Sequence, residues 1–256
     1  GLYNIAFEIS ILPTTELVAP ANRALLPGVS KIAHDLNIAG RQFLRVTGLL
    51  SLLSLPTGFG IAVTADLFTP IVLGAEWLAT IPLIKILAIF GAIMAIQSPI
   101  SMVLLAVGKP RWVSLMSLAQ LSCMIPLLIY LNLEIGVLGA GLALLITACF
   151  SLPAYFVLAA RLMEVRIGAF VRVICKPLLA ALVMYLPVRN MLPHLSSSIP
   201  DLAIAVASGA AVFLVMMALL GCPMRTPSRC CEAPSGQATG LKGRRSRRAT
   251  PAGQAA

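Results

Sequence analysis

The sequence predicts an all-α, polytopic transmembrane helical bundle of about seven spans. Three observations lead there: charges are scarce, uncharged stretches of spanning length recur, and basic residues collect in every second loop. Only 11% of the 256 residues are charged, while 59% are hydrophobic. A soluble domain carries about 25% charged and about 45–50% apolar residues. A soluble fold with so few charges could not cover its own surface. Lipid is the solvent that accepts the excess, and the mean hydropathy of +0.96 agrees. Each span needs roughly 20 mostly apolar residues to cross about 30 Å of hydrocarbon. A soluble enzyme is excluded on these grounds.

The first segment, residues 3–26, is the most polar. It carries Glu8, Glu16, Arg23, Pro13 and Pro20. Hydropathy alone does not place it in lipid. It reads as a helix facing protein or water inside a bundle, where charged or broken helices are tolerated. Residues 46–65 follow, uncharged and punctuated by Pro56 and Gly58. Residues 83–107 hold Lys85 as their only charge, and 113–131, 137–160 and 202–221 hold none. Residues 173–192 are less regular. Their clean apolar core is 177–188, with Lys176 and Arg189 near the ends, where long side chains reach headgroups.

Lys and Arg in short loops set the orientation. Lys31, Arg41 and Arg45 follow the first segment, and Lys109 and Arg111 follow the third. Arg161, Arg166, Arg172 and Lys176 follow the fifth. The alternate loops, 69–82, 132–136 and 189–201, are poor in both residues. The basic loops are therefore expected in the cytoplasm, and the chain is expected to enter from outside. Trp77 and Trp112 flank the third span, as interfacial aromatics do. Gly136, Gly139 and Gly141 open the fifth, where small residues permit close helix contact.

Composition divides the chain at Cys222. Residues 1–221 are expected to form the bundle. Residues 222–256 are rich in Arg, Ser, Gly, Pro, Ala and Thr, cannot bury a core, and are expected to form a basic, disordered cytoplasmic tail. Its basic cluster at 242–248 reads as solvated, with some attraction to anionic lipid. The chain opens at Gly1 directly in patterned sequence, as a piece of a longer protein would.

No catalytic pattern such as G-x-S-x-G, H-E-x-x-H or G-x-x-x-x-G-K-[ST] occurs. The six cysteines lack C-x-x-C spacing, and His34 and His194 have no partner at ligand spacing. No metal, no cofactor and no enzymatic activity are expected. The informative residues are ionisable groups at membrane depth. They are costly in lipid, so they face a cavity or a partner. Glu8, Glu16 and Arg23 are eight and seven residues apart, near one helical face, with Asn4, Thr15 and Asn22 on or near that side. Pro13 and Pro20 interrupt this segment and Pro27 stops it. Kinked helices with a polar stripe line transporter paths. The competing reading leaves only Glu16 deep, with Glu8 and Arg23 at the two interfaces.

Lys85 reads as a snorkelling lysine or as an anion contact in a cavity. Asp66 reads as interfacial. Gln97, Ser98 and Pro99 form a polar break that helix–helix hydrogen bonding explains as well as substrate contact does. The substrate-cavity candidates are thus Glu8, Glu16, Arg23 and Lys85. Arg23 and Lys85 would suit an anionic headgroup; Glu8, Glu16 and Asp66 would suit a cation or a proton relay.

Several short motifs carry a resemblance. They are Gly1-Leu2-Tyr3-Asn4-Ile5-Ala6, the Leu12-Pro13 break, and Pro20-Ala21-Asn22-Arg23-Ala24-Leu25-Leu26-Pro27-Gly28. Pro56-Thr57-Gly58, Leu73-Gly74-Ala75-Glu76-Trp77 and Leu105-Ala106-Val107-Gly108-Lys109-Pro110 follow in order. Together they resemble the bacterial polysaccharide flippases (O-antigen flippases) of the multidrug/oligosaccharidyl-lipid/polysaccharide exporter superfamily, over residues 1–221. The resemblance implies a fold of about 12 to 14 helices in two lobes around a central cavity, worked by alternating access. The implied cargo is an undecaprenyl-pyrophosphate-linked oligosaccharide. The chain would correspond to the C-terminal part, without the N-terminal lobe. The implied location is the bacterial inner membrane. The implied partners are the lipid-linked oligosaccharide, membrane lipids, and polysaccharide polymerase and glycosyltransferase machinery, with no nucleic acid. Two alternatives stand beside this reading. One is a cation-coupled small-molecule exporter of the same superfamily, dependent on Glu8 or Glu16. The other is a non-transporting membrane scaffold.

Overall fold

The computed structural model describes residues 7–8, 36–163, 167–192 and 198–221. Among them all regular structure is helical. Six helices are long and apolar enough to cross a membrane. They are α1 (Leu36–Phe68), α2 (Ile81–Ala106), α3 (Pro110–Ile135), α4 (Val137–Met163), α5 (Ile167–Met191) and α6 (Ile199–Leu219). They correspond in order to the last six predicted spans. The first predicted span lies outside the described residues, except that Phe7 and Glu8 are helical.

The main departure in length is α1. Uncharged sequence predicts a span over 46–65, but the helix runs for 33 residues. At 1.5 Å per residue that is about 50 Å, longer than the hydrocarbon is thick. Its first turns carry Arg41 and Arg45, both exposed. Charge ends a hydropathy window without ending a helix. Pro56 also lies inside α1, as Pro99 lies inside α2 and Pro126 inside α3. The Ser98 hydroxyl donates to the Ala95 carbonyl, which Pro99 leaves free, at 3.0 Å; such side-chain donors let a spanning helix carry a proline.

The connections between α2 and α3 and between α3 and α4 are short and turn on glycine. At the end of α2 the Lys109 N–H donates to the Leu104 carbonyl at 3.0 Å, and the Gly108 N–H donates to Leu105 at 3.1 Å. This nested pair requires Gly108 at φ +74°, a conformation that L side chains resist. Gly136, at φ +65°, is the sole residue between α3 and α4. Such turns make consecutive helices antiparallel neighbours.

Helix α1 is central and packs on α2, α5 and α6, while α4 packs on α2 and α3. Along α1, Thr47, Ser51, Ser54, Gly58, Ala62 and Ala65 recur at three- and four-residue steps, and all are buried. That spacing puts them on one face. At Gly58 a β-carbon would lie 2.7 Å from Ala92 Cβ and 2.8 Å from the Ala88 carbonyl oxygen. Helices α1 and α2 therefore meet backbone to backbone through small residues. Gly141 of α4 gives way in the same manner to Leu83, and Gly139 to the Leu131 carbonyl of α3. These contacts match the close packing expected of the glycines that open α4.

Lys176 departs from expectation. Its sequence position suits a side chain reaching for headgroups. Instead its Nζ donates to the carbonyls of Leu220 at 2.9 Å and Gly221 at 3.2 Å. A cation thus caps the carbonyl end of α6, where the helix dipole favours positive charge.

Candidate functional site

Charge separates the two ends of the bundle. Arg41, Arg45, Lys109, Arg111, Arg161 and Arg172 lie at the end where α1, α3 and α5 begin. The opposite end holds Asp66, Glu76, Glu134 and Asp201, with Lys85 and Arg189 as its cations. Apolar clusters tie each end together. At the basic end Phe43 packs with Leu104, Leu158 and Phe170. At the acidic end Ala65 packs with Leu83, Ile84 and Leu87.

Of the four candidates, Glu16 and Arg23 lie outside the described residues. Glu8 is helical and exposed. Its neighbour Phe7 is partly buried against the acidic-end cluster. Phe7 therefore lies beside the meeting point of α1 and α2.

Lys85 has a partner that the sequence did not reveal. Its Nζ donates to both carboxylate oxygens of Asp66, each at 2.8 Å. The side chains are 36% and 49% exposed. An isolated ion at this depth is costly, about 2.5–3.5 kcal/mol at a helix centre, and pairing offsets part of that cost. Lys85 and Asp66 thus form a half-exposed ion pair near the acidic end of the bundle. The residues are 19 apart in sequence, and only the turn between α1 and α2 brings them together. An anion that reached Lys85 would have to displace Asp66. No ion pair or hydrogen bond joins Lys85 to Glu8 among the described residues.

Gln97 resolves in favour of helix–helix bonding. Its Nε2 donates to the Ala148 carbonyl at 3.0 Å and to Ser151 Oγ at 3.1 Å, both on α4. It is 4% exposed. Burial leaves an amide no water, so it takes protein acceptors.

Three buried hydroxyls were missed. Thr47 Oγ1, Ser54 Oγ and Thr69 Oγ1 are enclosed without a hydrogen-bond partner. Other hydroxyls on α1 bond back one turn, as Ser51 Oγ does to the Thr47 carbonyl at 2.6 Å. The signal for the first two was present as small and hydroxyl residues at three- and four-residue steps. Among the described residues no cluster of three His, Cys, Asp or Glu is placed to hold a metal ion. Cys123, Cys149 and Cys175 are free and exposed.

A family model described as "Polysaccharide biosynthesis protein" matches residues 1–82, which hold the first segment, α1 and the turn into α2. The teichuronic acid biosynthesis protein TuaB of Bacillus subtilis (strain 168) is 32% identical over 109 residues, covering 43% of this chain and 23% of TuaB. The lipopolysaccharide biosynthesis protein WzxC of Escherichia coli (strain K12) is 24% identical over 159 residues, covering 62% and 32%. The succinoglycan biosynthesis transport protein ExoT of Rhizobium meliloti (strain 1021) is 21% identical over 220 residues, covering 86% and 44%. The chain thus spans less than half the length of each of these relatives. No solved structure matches it significantly. By the family pattern over its first 82 residues and by these relatives along its length, this helical bundle is similar to bacterial polysaccharide biosynthesis and transport proteins.

Proposed function

We propose that this chain is part of a membrane transporter that moves a lipid-linked (undecaprenyl-pyrophosphate) oligosaccharide across the bacterial inner membrane for polysaccharide biosynthesis. The observation that carries the reading is the family match over residues 1–82. Relatives named for teichuronic acid, lipopolysaccharide and succinoglycan biosynthesis, one of them named a transport protein, support it. The task is physical rather than catalytic. A glycan and a pyrophosphate must cross hydrocarbon while the lipid tail stays in it, which calls for a polar path between helices. By the positive-inside rule the basic end is cytoplasmic, and so is the tail at 222–256. Arg41, Arg45 and their neighbours would then draw a pyrophosphate toward the bundle. Within the path, Arg23 and Lys85 hold the headgroup, and Glu8 and Glu16 face the same cavity. Lys85 serves by exchanging its Asp66 carboxylate for a phosphate oxygen. Polymerase and glycosyltransferase machinery would supply and consume the cargo.

The test is made in the protein as its host produces it. Loss of the gene is expected to leave lipid-linked oligosaccharide on the cytoplasmic side and to deplete surface polysaccharide. Arg23→Ala is expected to lower surface polysaccharide at an unchanged membrane level of the protein. Normal polymer in the deletion strain would reject the reading. Normal polymer in the Arg23 variant alone would remove only that residue from the path.

A further inference from the structure

Helix α3 begins at the basic side. Lys109 is its N-cap and Pro110 its first residue, so Lys109 and Arg111 flank a proline that fixes the turn. Neither cation is ion-paired among the described residues, and Arg111 is exposed. Below them runs an open groove of ≈ 430 Å³ lined by Pro110, Arg111, Ser114, Leu115 and Leu118. These positions lie on one side of a helix. The helix meets the rest of the bundle elsewhere, through Val113 and Met116 against the basic-end cluster.

Polarity along the groove is graded. Arg111 stands at its mouth, and Lys109, the N-cap, comes two positions before it in the chain. Ser114 comes next, its hydroxyl donating weakly to the Pro110 carbonyl at 3.4 Å. Leu115 and Leu118 follow, 52% and 62% exposed. A soluble anion would use the cations and leave the leucines uncovered. A lipid tail alone would use the leucines and ignore the cations. A molecule with a phosphate, an ester region and an acyl chain in that order meets all three. No acidic residue lines the groove, and Arg41, Arg45, Arg161 and Arg172 add positive field at the same end. Net negative charge on the headgroup is therefore favoured over a zwitterion.

We propose that the start of α3 binds an anionic glycerophospholipid of the surrounding bilayer, with its phosphate against Lys109 and Arg111 and an acyl chain along Leu115 and Leu118. The site lies at the opposite end of the bundle from the Asp66–Lys85 pair and does not depend on which cargo is carried.

Trp112 is 40% exposed beside Arg111 and reports on this site. The chain has two tryptophans, so Trp77→Phe leaves Trp112 as the sole emitter. The full chain is reconstituted in phosphatidylcholine vesicles. A minor fraction of the lipid is replaced by dibrominated phosphatidylglycerol or by dibrominated phosphatidylcholine, whose bromines quench a neighbouring indole. Brominated phosphatidylglycerol is expected to quench with about tenfold higher apparent affinity, given two contacting cations. The preference is expected to shrink as salt is raised. Lys109→Gln with Arg111→Gln is expected to abolish it, and Arg41→Gln with Arg45→Gln to leave most of it. Equal quenching by the two lipids overturns the proposal. So does a preference that high salt leaves untouched in the Trp77→Phe chain, a reading that needs no further variant. Equal loss in both charge variants overturns it as well, because it would mean a general surface potential rather than a site.

Discussion

Helices α2 and α3 are each 26 residues long, apolar enough to cross a membrane and interrupted by one internal proline. Hydropathy passes both as membrane spans. In the fold they are opposites: fourteen residues of α2 are buried and none of α3. Where α2 meets its neighbours, small residues and one amide take part in the contact. Helix α2 presents Ala88, Gly91, Ala92 and Ala95, all buried, and sends Gln97 across to α4. Helix α3 presents Leu115, Leu118, Leu121, Ile125 and Ile129, all exposed. Between helices in lipid no hydrophobic force distinguishes a leucine on a neighbour from a leucine on a lipid tail. Close backbone approach and hydrogen bonds decide which helix becomes central.

That comparison can be broken at the α1–α2 seam first. Gly58→Leu would drive a side chain into Ala88 and Ala92. It is expected to cost about 3 kcal/mol and to abolish a monodisperse peak in detergent size exclusion. A well-folded Gly58→Leu protein would mean that small residues do not set the centre of this bundle.

The ion pair gives the next largest effect. Asp66→Asn strands the Lys85 ammonium and is expected to lower stability by about 1 kcal/mol, given how much of the pair is exposed. The exchange Asp66→Lys with Lys85→Asp is expected to recover most of it, read as the melting temperature in detergent. No recovery would show that position, not charge, holds the two helices there.

Gln97→Leu keeps the volume and removes the bonds to Ala148 and Ser151. About 0.6 kcal/mol is expected, the average for such bonds between membrane helices. Leu121→Ala and Ile125→Ala on α3 are expected to shift stability by no more than about 0.5 kcal/mol each, by the same melting assay. A larger loss would reveal a protein neighbour on that face and sharpen the contrast in the other direction.

What the sequence disclosed follows the same division. Lengths and order of the last six spans were legible because lipid demands long uncharged runs. The extent of α1 was not, since Arg41 and Arg45 belong to a helix that continues past the hydrocarbon. Lys85 was flagged as costly, but its partner was not found: pairing across a turn has no sequence period. Gln97 was left with two readings because an amide bonds equally well to a backbone or to a cargo. Thr47 and Ser54 carry no charge to mark them, yet their spacing puts them on the closely packed face of α1. Glu16 and Arg23 remain sequence expectations, outside the described residues.

The one-residue joint at Gly136 has a mechanical corollary. A hinge without slack cannot let one arm swing while the other stands still. Any tilt of α3 drags α4, and α4 is tethered to α2 through Gln97. The helix that looks most free to wander is thus the handle of a lever whose far arm reaches the middle of the bundle.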